Sequence, residues 1–254
     1  MRARPSIALA IGLMIAYWIV STAIQASAGI PYADWFKTGA NAWRVGVASL
    51  AACTVLLVAC VAILRWDHLW RDPVKLPTTP LMTTCLWLWW AAIATRLVGV
   101  KWGEIPMDLL VPVVASGILV GFAEETLFRG FFLRGLREGG RPESSAAIWT
   151  AVAFGLFHLP NVFMGTGLIG LVQIVLAGLS GLLLYLFRRR YQSIVPAMVA
   201  HGTWDISTFL AGGYATEWLN IANIAMQLVF VGLAIAVIVS IRRNDKSLVA
   251  IPAG

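Results

Sequence analysis

The chain has 254 residues, of which 59% are hydrophobic and only 12% are charged. Soluble globular domains carry about 25% charged residues, so the composition excludes a soluble protein and indicates a polytopic membrane protein. The net charge of +7 does not predict a nucleic-acid partner, because the arginines are scattered along the chain and form no basic stripe.

Eight apolar segments approach the length of membrane-spanning helices, which need about 17–25 residues. In chain order they are Ile7–Ala26, Arg44–Leu64, Pro80–Leu97, Asp108–Arg134, Ser144–His158, Thr166–Phe187, Ile194–Ala211 and Trp218–Ile241. The fifth is the shortest, and no hydrophilic stretch is long enough for a separate soluble domain. We therefore expect an all-α, polytopic integral membrane bundle of about eight transmembrane helices, surrounded by the lipid bilayer.

We interpret the chain as a single integral-membrane domain, 1–254, with three parts. The segment 1–107 holds N-terminal spans without catalytic motifs. The segment 108–211 holds the catalytic core spans, and 212–254 holds the last span and a cytoplasmic tail. The proline-rich stretch 72–80 predicts an extended connection between two spans.

The basic residues fall into alternate loops and predict the orientation of the chain in the membrane. One set of loops holds Arg2, Arg4, Arg65, Arg71, Lys75, Arg134, Arg137, Arg141, Arg188, Arg189, Arg190, Arg242, Arg243 and Lys246. The opposite set holds only Lys37, Arg44, Arg96 and Lys101. Because basic loops stay in the cytoplasm, we expect both termini to be cytoplasmic. The short soluble loops are typical of a bacterial protein, so we expect the bacterial cell (inner) membrane.

The fourth span contains two adjacent carboxylates and an arginine, Glu124, Glu125 and Arg129. Each such charge costs about 2.5–3.5 kcal/mol at the centre of a spanning helix, so intramembrane ionisable residues indicate a functional site. Glu125 and Arg129 are four residues apart, which predicts an ion pair on one helix face. Glu124 points about 100° away from Glu125 and has no basic partner in the neighbouring spans. We therefore expect one supporting carboxylate and one that faces a cavity.

Two later motifs, Phe154-Gly-Leu-Phe-His158 and His201-Gly-Thr-Trp-Asp205, place two histidines and an aspartate in other spans. A lone histidine in an apolar helix is more often a packing residue. However, at a rise of about 1.5 Å per residue, Glu124, His158, His201 and Asp205 all fall in one layer of the bundle. Independent packing residues would not share a layer with an unpaired glutamate, so we expect a common site.

A carboxylate, two imidazoles and an aspartate suit the activation of water and the stabilisation of an oxyanion. The competing interpretation is a hydrolytic zinc site on Glu124, His158 and His201. The chain lacks a His-Glu-x-x-His motif, and spacing alone leaves the choice open. We expect no cofactor, with zinc as the alternative. A proton-coupled transporter and a non-enzymatic bacteriocin-immunity or scaffold protein are the rival functions.

The ordered set Glu124-Glu-x-x-x-Arg129, Phe154-x-x-x-His158 and His201-x-x-x-Asp205 resembles the motifs of the CPBP family, the CAAX protease and bacteriocin-processing (ABI) group. The resemblance covers about residues 111 to 209 and implies an eight-helix intramembrane endopeptidase related to type II CAAX prenyl endopeptidases. Its substrate would be a membrane-associated or lipidated peptide or protein that enters from the membrane or the cytoplasmic side.

The resemblance also implies residue roles. Glu124 would be the base that activates water, with His158 assisting, while Glu125 and Arg129 would support the site. His201 and Asp205 would take the oxyanion-stabilising positions. The family often has Asn in place of Asp205, and an ionised Asp cannot donate a hydrogen bond, so Asp205 has two possible roles: it orients His201, or it is protonated. The family has been described both as metalloproteases and as metal-independent glutamate proteases, and we favour the latter.

Overall fold

The computed structural model describes residues 3–245, so Arg2 and Lys246 of the orientation pattern lie outside the described residues. Eight long helices follow one another: α1 Ile7–Ala28, α2 Gly39–Leu64, α3 Pro80–Gly99, α4 Met107–Glu138, α5 Glu143–Leu156, α6 Leu168–Tyr191, α7 Val195–Tyr214 and α8 Glu217–Asn244. Between residues 3 and 245 there is no strand, only two isolated backbone bridges. The predicted all-α fold is confirmed.

Seven of the segments that contain these helices are long and apolar enough to cross a membrane, and α7 is the exception. It has 20 residues, enough to span, but His201, Asp205 and several small polar residues lower its apolar content. His201 and Ser207 are buried against protein, because α7 packs along much of α4. The prediction of a polytopic membrane bundle is confirmed, while the division at residues 107 and 211 stays a prediction.

Local sequence explains several helix ends. The Thr79 hydroxyl accepts a hydrogen bond from the Met82 N–H, and Pro80 occupies the first position of α3, where its missing N–H has no cost. Ser6 caps α1 in the same way, by accepting from the Leu9 N–H. Gly29 ends α1 with φ of 65°, a left-handed conformation that glycine adopts without strain.

The approach of α4 to α7 depends on glycines that face each other. A Cβ atom at Gly121 would overlap the carbonyl oxygen of Met198, and one at Gly202 would overlap the carbonyl oxygen of Gly117. Backbone atoms cannot move aside as a flexible side chain can. Small residues of this kind let membrane helices pack closely, and here they bring the carboxylates of α4 against the histidine of α7.

We expect Gly121→Ala to separate α4 from α7 and to destabilise the fold by about 1–3 kcal/mol, the usual cost of overpacking. The matched control is Gly212→Ala, also in a helix, where an added Cβ meets nothing within 4 Å. Because alanine favours the helix, Gly212→Ala should be neutral or slightly stabilising. Thermal unfolding in detergent measures both variants, and equal melting temperatures would contradict the close-packing argument.

Seven arginines that we predicted in loops lie in helices instead, and this part of the prediction was wrong: Arg134, Arg137, Arg188, Arg189, Arg190, Arg242 and Arg243. Because α4 continues to Glu138 and α6 to Tyr191, the residues Arg134, Arg137, Arg188 and Arg189 are helical and buried. They lie near the end of the bundle where α1 begins, since Gly135 lies against Ser6. Their charges therefore have a structural role as well as any effect on orientation, which stays a prediction.

Asp72 connects two of these arginines. Its Oδ1 accepts hydrogen bonds from Arg137 Nη1 at 2.9 Å and from Arg188 Nε at 3.0 Å. Burial raises the pKa of the Asp72 carboxyl, but the charges and hydrogen bonds of Arg188 and Arg137 outweigh burial, and the pKa is lowered overall. The segment 72–80, predicted as a plain extended connection, is thus tied to α4 and α6 by a buried ion network.

The ion network also includes two further carboxylates. Glu143, at the start of α5, accepts from Arg137 at 2.6 Å and from the Tyr185 hydroxyl at 2.6 Å. Asp245 forms an ion pair with Arg189 at 2.6 Å. The network of three arginines and three carboxylates is therefore electrically balanced. We define the ion network as Asp72, Arg137, Glu143, Arg188, Arg189 and Asp245.

Candidate active site

The two adjacent carboxylates lie where α4 changes its winding. Residues Met107–Glu125 are α-helical, and Thr126–Phe132 form a wider π-helical turn before the α-helix resumes. Such turns are rare, and they occur frequently at functional sites. Both carboxylates are buried, with Glu124 7% exposed and Glu125 fully covered.

Glu125 and Arg129 form an ion pair, with Arg129 Nη1 2.7 Å from Glu125 Oε1. Arg129 Nη2 donates to the carbonyl of Gly181 on α6 at 2.6 Å, and the guanidinium carbon lies 4.6 Å from the centre of the Phe154 ring. Neither Glu125 nor Arg129 is exposed. The pair therefore connects α4 to α5 and α6 and has no access to substrate.

His201 is held by the same carboxylate. Its Nδ1 lies 2.9 Å from Glu125 Oε1, and because an ionised carboxylate only accepts, Nδ1 is the donor. Its Nε2 faces two other acids, 3.9 Å from Glu124 Oε2 and 3.8 Å from Asp205 Oδ2. Both distances exceed a direct hydrogen bond, and polar groups so spaced are commonly bridged by water.

Glu124 differs from its neighbour because neither of its carboxylate oxygens forms a hydrogen bond to another described residue, whereas Glu125 bonds Arg129 and His201 through Oε1 and leaves its own Oε2 unpaired. The Oε2 of Glu124 is buried and has no hydrogen bond among residues 3–245. The nearby ring of His201 is oriented by Glu125 and not by Glu124. Geometry thus divides the two carboxylates: Glu125 is committed to Arg129 and His201, whereas Glu124 is available to a bound molecule.

His158 lies just beyond α5, which ends at Leu156, and it falls within the longer candidate membrane span Glu143–Thr166. The chain turns here and enters a short helical segment that contains Pro160. His158 Nδ1 donates to the carbonyl of Phe154 at 3.0 Å. This bond leaves Nε2 as an acceptor, which is the state a base or a water-orienting group requires.

The ring of Phe154 separates the two histidines and positions both. It meets His158 edge-on at 5.3 Å and His201 edge-on at 5.5 Å between ring centroids. The structure thus brings Glu124, Glu125, Arg129, His201 and Asp205 into one connected group, and His158 joins it across this ring. The sequence shows Phe154 only as part of a motif, because its contacts with both histidines depend on how the helices pack.

The predicted zinc ligands do not assemble as a metal centre. Within the described part of the chain, no group of three or more His, Cys, Asp or Glu side chains is placed to hold a metal ion. The Oε2 of Glu124 and the Nε2 of His201 are 3.9 Å apart, and a histidine that binds a metal commonly donates its other ring N–H to a carboxylate, as Nδ1 does to Glu125. No third ligand is placed with them among the described residues, and the absence of a cofactor stays a prediction.

Two residues near the site were not predicted as part of it. Arg96 of α3 is buried and contacts Trp204, which lies between His201 and Asp205. Tyr32, in the loop after α1, accepts a hydrogen bond from Gln173 of α6. Burial raises the pKa of the Tyr32 hydroxyl, while the hydrogen bond from Gln173 acts in the opposite direction.

Residues 106–207 match the family model described as Type II CAAX prenyl endopeptidase Rce1-like. The match confirms the family that the motifs indicated. It begins just before α4 and ends within α7, so it contains all six predicted site residues. No curated protein and no solved structure matches the chain.

The family match and the helices together establish two broader conclusions. The chain is an integral membrane protein, and its residues 106–207 are similar to the family of type II CAAX prenyl endopeptidases. The match does not assign roles to the individual residues of the site.

Proposed function

We propose that the protein is an intramembrane endopeptidase in which Glu124 activates the attacking water. The observation that carries this proposal is the buried, unpartnered Oε2 of Glu124, 3.9 Å from the His201 ring. A carboxylate without a structural partner in the middle of a membrane helix is costly, and general-base chemistry gives it a reason to be there.

In the proposed reaction, Glu124 takes a proton from water as the water oxygen attacks the carbonyl carbon of the scissile peptide bond. The free Nε2 of His158 accepts the second hydrogen of this water and orients it. Collapse of the tetrahedral intermediate breaks the carbon–nitrogen bond, and Glu124 returns its proton to the leaving amine. The products are a new carboxylate and a new amine.

His201 is proposed to stabilise the oxyanion of the intermediate by donating from Nε2. Glu125 accepts from Nδ1 and fixes the plane of the ring. The carboxylate oxygens of Glu124 and Asp205, both within 4 Å of Nε2, favour a proton on that nitrogen. We assign Asp205 the role of positioning His201, because an ionised aspartate cannot itself donate to an oxyanion.

The proposed substrate is a membrane-associated or lipidated peptide or protein that enters from the membrane or the cytoplasmic side. The proposed location is the bacterial inner membrane, with both termini in the cytoplasm. Prenylated substrates have only the family name in their support.

Purified protein in proteoliposomes tests the proposal against its two rivals. We expect cleavage of an internal bond in at least one membrane-inserted peptide, detected by mass spectrometry, without coupled proton movement. Substrate-driven proton flux without cleavage would favour the transporter. Full protection against a bacteriocin by a Glu124→Ala variant in cells would favour the immunity or scaffold protein.

A metal-independent reaction makes a further prediction. Dialysis of the protein against a strong chelator should leave the cleavage rate within about twofold, because the site residues do not form a three-ligand centre. The control is a zinc-dependent protease treated in the same detergent. Loss of activity that added zinc restores would contradict the prediction. It would indicate that the attacking water is bound to a metal.

A further inference from the structure

Arg96 differs from the other buried arginines. Six arginines of the described chain are buried: Arg96, Arg129, Arg134, Arg137, Arg188 and Arg189. Five of them have a carboxylate oxygen within 4.0 Å. Between residues 3 and 245, Arg96 has none, although only 6% of it is exposed.

The guanidinium of Arg96 is nevertheless held firmly. Its Nε donates to Asn223 Oδ1 of α8 at 3.1 Å, and its central carbon lies 3.8 Å from the centre of a Trp204 ring. Trp204 is itself stacked on Trp89 at 4.2 Å. One end of the guanidinium is therefore fixed by a hydrogen bond and one face by an aromatic ring.

The other end of the guanidinium is unsatisfied. Arg96 Nη1 is buried and has no hydrogen-bond partner in the described part of the chain. A buried, unpaired charge is strongly unfavourable. A guanidinium can donate two parallel N–H hydrogen bonds to one carboxylate. The arrangement is that of a binding group whose anion is supplied from outside the protein.

Arg96 also borders the proposed site. Its contact Trp204 immediately precedes Asp205, whose Oδ2 is 3.8 Å from His201 Nε2. No Asp205 oxygen is within 4.0 Å of an Arg96 nitrogen. The Asp205 carboxylate lies nearer to His201 than to Arg96, and Arg96 Nη1 makes no hydrogen bond to it.

We infer that Arg96 binds a carboxylate of the peptide substrate and thereby selects and positions it for cleavage. A peptide can supply this group from its free C-terminus or from an acidic side chain, and both have the same chemistry. The inference rests on the proposed endopeptidase function, but it concerns recognition, so binding can test it without turnover.

The test uses the Glu124→Gln protein, which should bind peptide without cleaving it. Labelled peptides are first selected by their binding to this protein, measured by fluorescence anisotropy in detergent. Each selected peptide is then made in three forms: unchanged, with an amidated C-terminus, and with its acidic side chains replaced by amides. We expect one amide form to bind about tenfold or more weakly, and the affected form identifies the carboxylate.

The same three forms are measured with Arg96→Gln added to the Glu124→Gln background. We expect the difference between carboxylate and amide to disappear. Arg96→Lys, which keeps the charge without the planar fork, should retain part of the difference and serves as the second variant if Arg96→Gln does not fold. The control Arg44→Gln removes an equal charge from an exposed site and should retain the full difference.

The outcomes separate recognition from catalysis. If Arg96 has only a structural role, Arg96→Gln should weaken the binding of all three peptide forms equally. This result would overturn the inference. A peptide that wild type cleaves but that binds equally well in carboxylate and amide forms would also overturn it, while the endopeptidase stands. Carboxylate-dependent binding of peptides that wild type never cleaves would keep the inference and overturn the proposed function. Absence of any peptide binding would overturn both.

Discussion

Glu124→Gln should lower the rate of peptide cleavage by about 10²–10⁴-fold, the contribution of a positioned general base, with little change in melting temperature. The amide has nearly the same size as the carboxylate but cannot take a proton from water. Because Glu124 has no hydrogen-bond partner among the described residues, the substitution breaks no structural bond. Single-turnover cleavage and thermal unfolding of the same preparation measure the two effects.

Glu104→Gln is the matched control for Glu124→Gln. Glu104 is exposed, and its pair with Lys101 is long, at 3.7 Å, so this change should leave both rate and stability close to wild type. Full activity of the Glu124→Gln variant would show that the Glu124 carboxylate is not the general base. A large fall in melting temperature would instead assign it a structural role.

Asp72→Asn should lower the free energy of unfolding by about 3 kcal/mol, because it leaves buried arginine charge uncompensated. Arg137 keeps Glu143 as a partner, but Arg188 is left with neutral groups, the carbonyls of Leu69, His68 and Arg129 among them. The substitution changes charge with little change in shape. Equilibrium unfolding in mixed micelles measures the loss.

Asp34→Asn is the control for Asp72→Asn. Asp34 pairs with Lys37 in the loop after α1, where their side chains are 37% and 67% exposed. Pairs of this kind contribute at most about 1 kcal/mol. If both substitutions reduced stability by the same small amount, the ion network would have no special role in holding the segment 72–80 to the bundle.

Much of the site could be predicted from the sequence, because several of its residues lie on the same helix and their spacing determines which of them are neighbours. The ion pair between Glu125 and Arg129 follows from four-residue spacing, and the separate direction of Glu124 follows from the 100° step between neighbours. The rise of about 1.5 Å per residue along each spanning helix predicted that His201 lies at the same depth in the bilayer as the carboxylates. Seven of the eight helices are also long and apolar enough to be recognised by hydropathy.

The remainder depended on contacts between helices, which spacing within one helix does not encode. Glu125 binds His201 as well as Arg129, and nothing in α4 alone predicts which carboxylate faces α7. Asp72 looked like part of a connection, since its importance depends on two arginines far along the chain. Arg96 looked like a residue near a loop, and only the packing of α3 on α7 places it on Trp204.

The central claim is that the two adjacent carboxylates have different roles, and single-turnover cleavage by wild type, Glu124→Gln and Glu125→Gln tests it most directly. A glutamine in place of Glu125 can still accept hydrogen bonds from Arg129 and His201 through its carbonyl oxygen. We therefore predict that Glu125→Gln loses about tenfold in rate, while Glu124→Gln loses nearly all activity. Equal losses in the two variants, or a larger loss in Glu125→Gln, would contradict the assignment of Glu124 as the base.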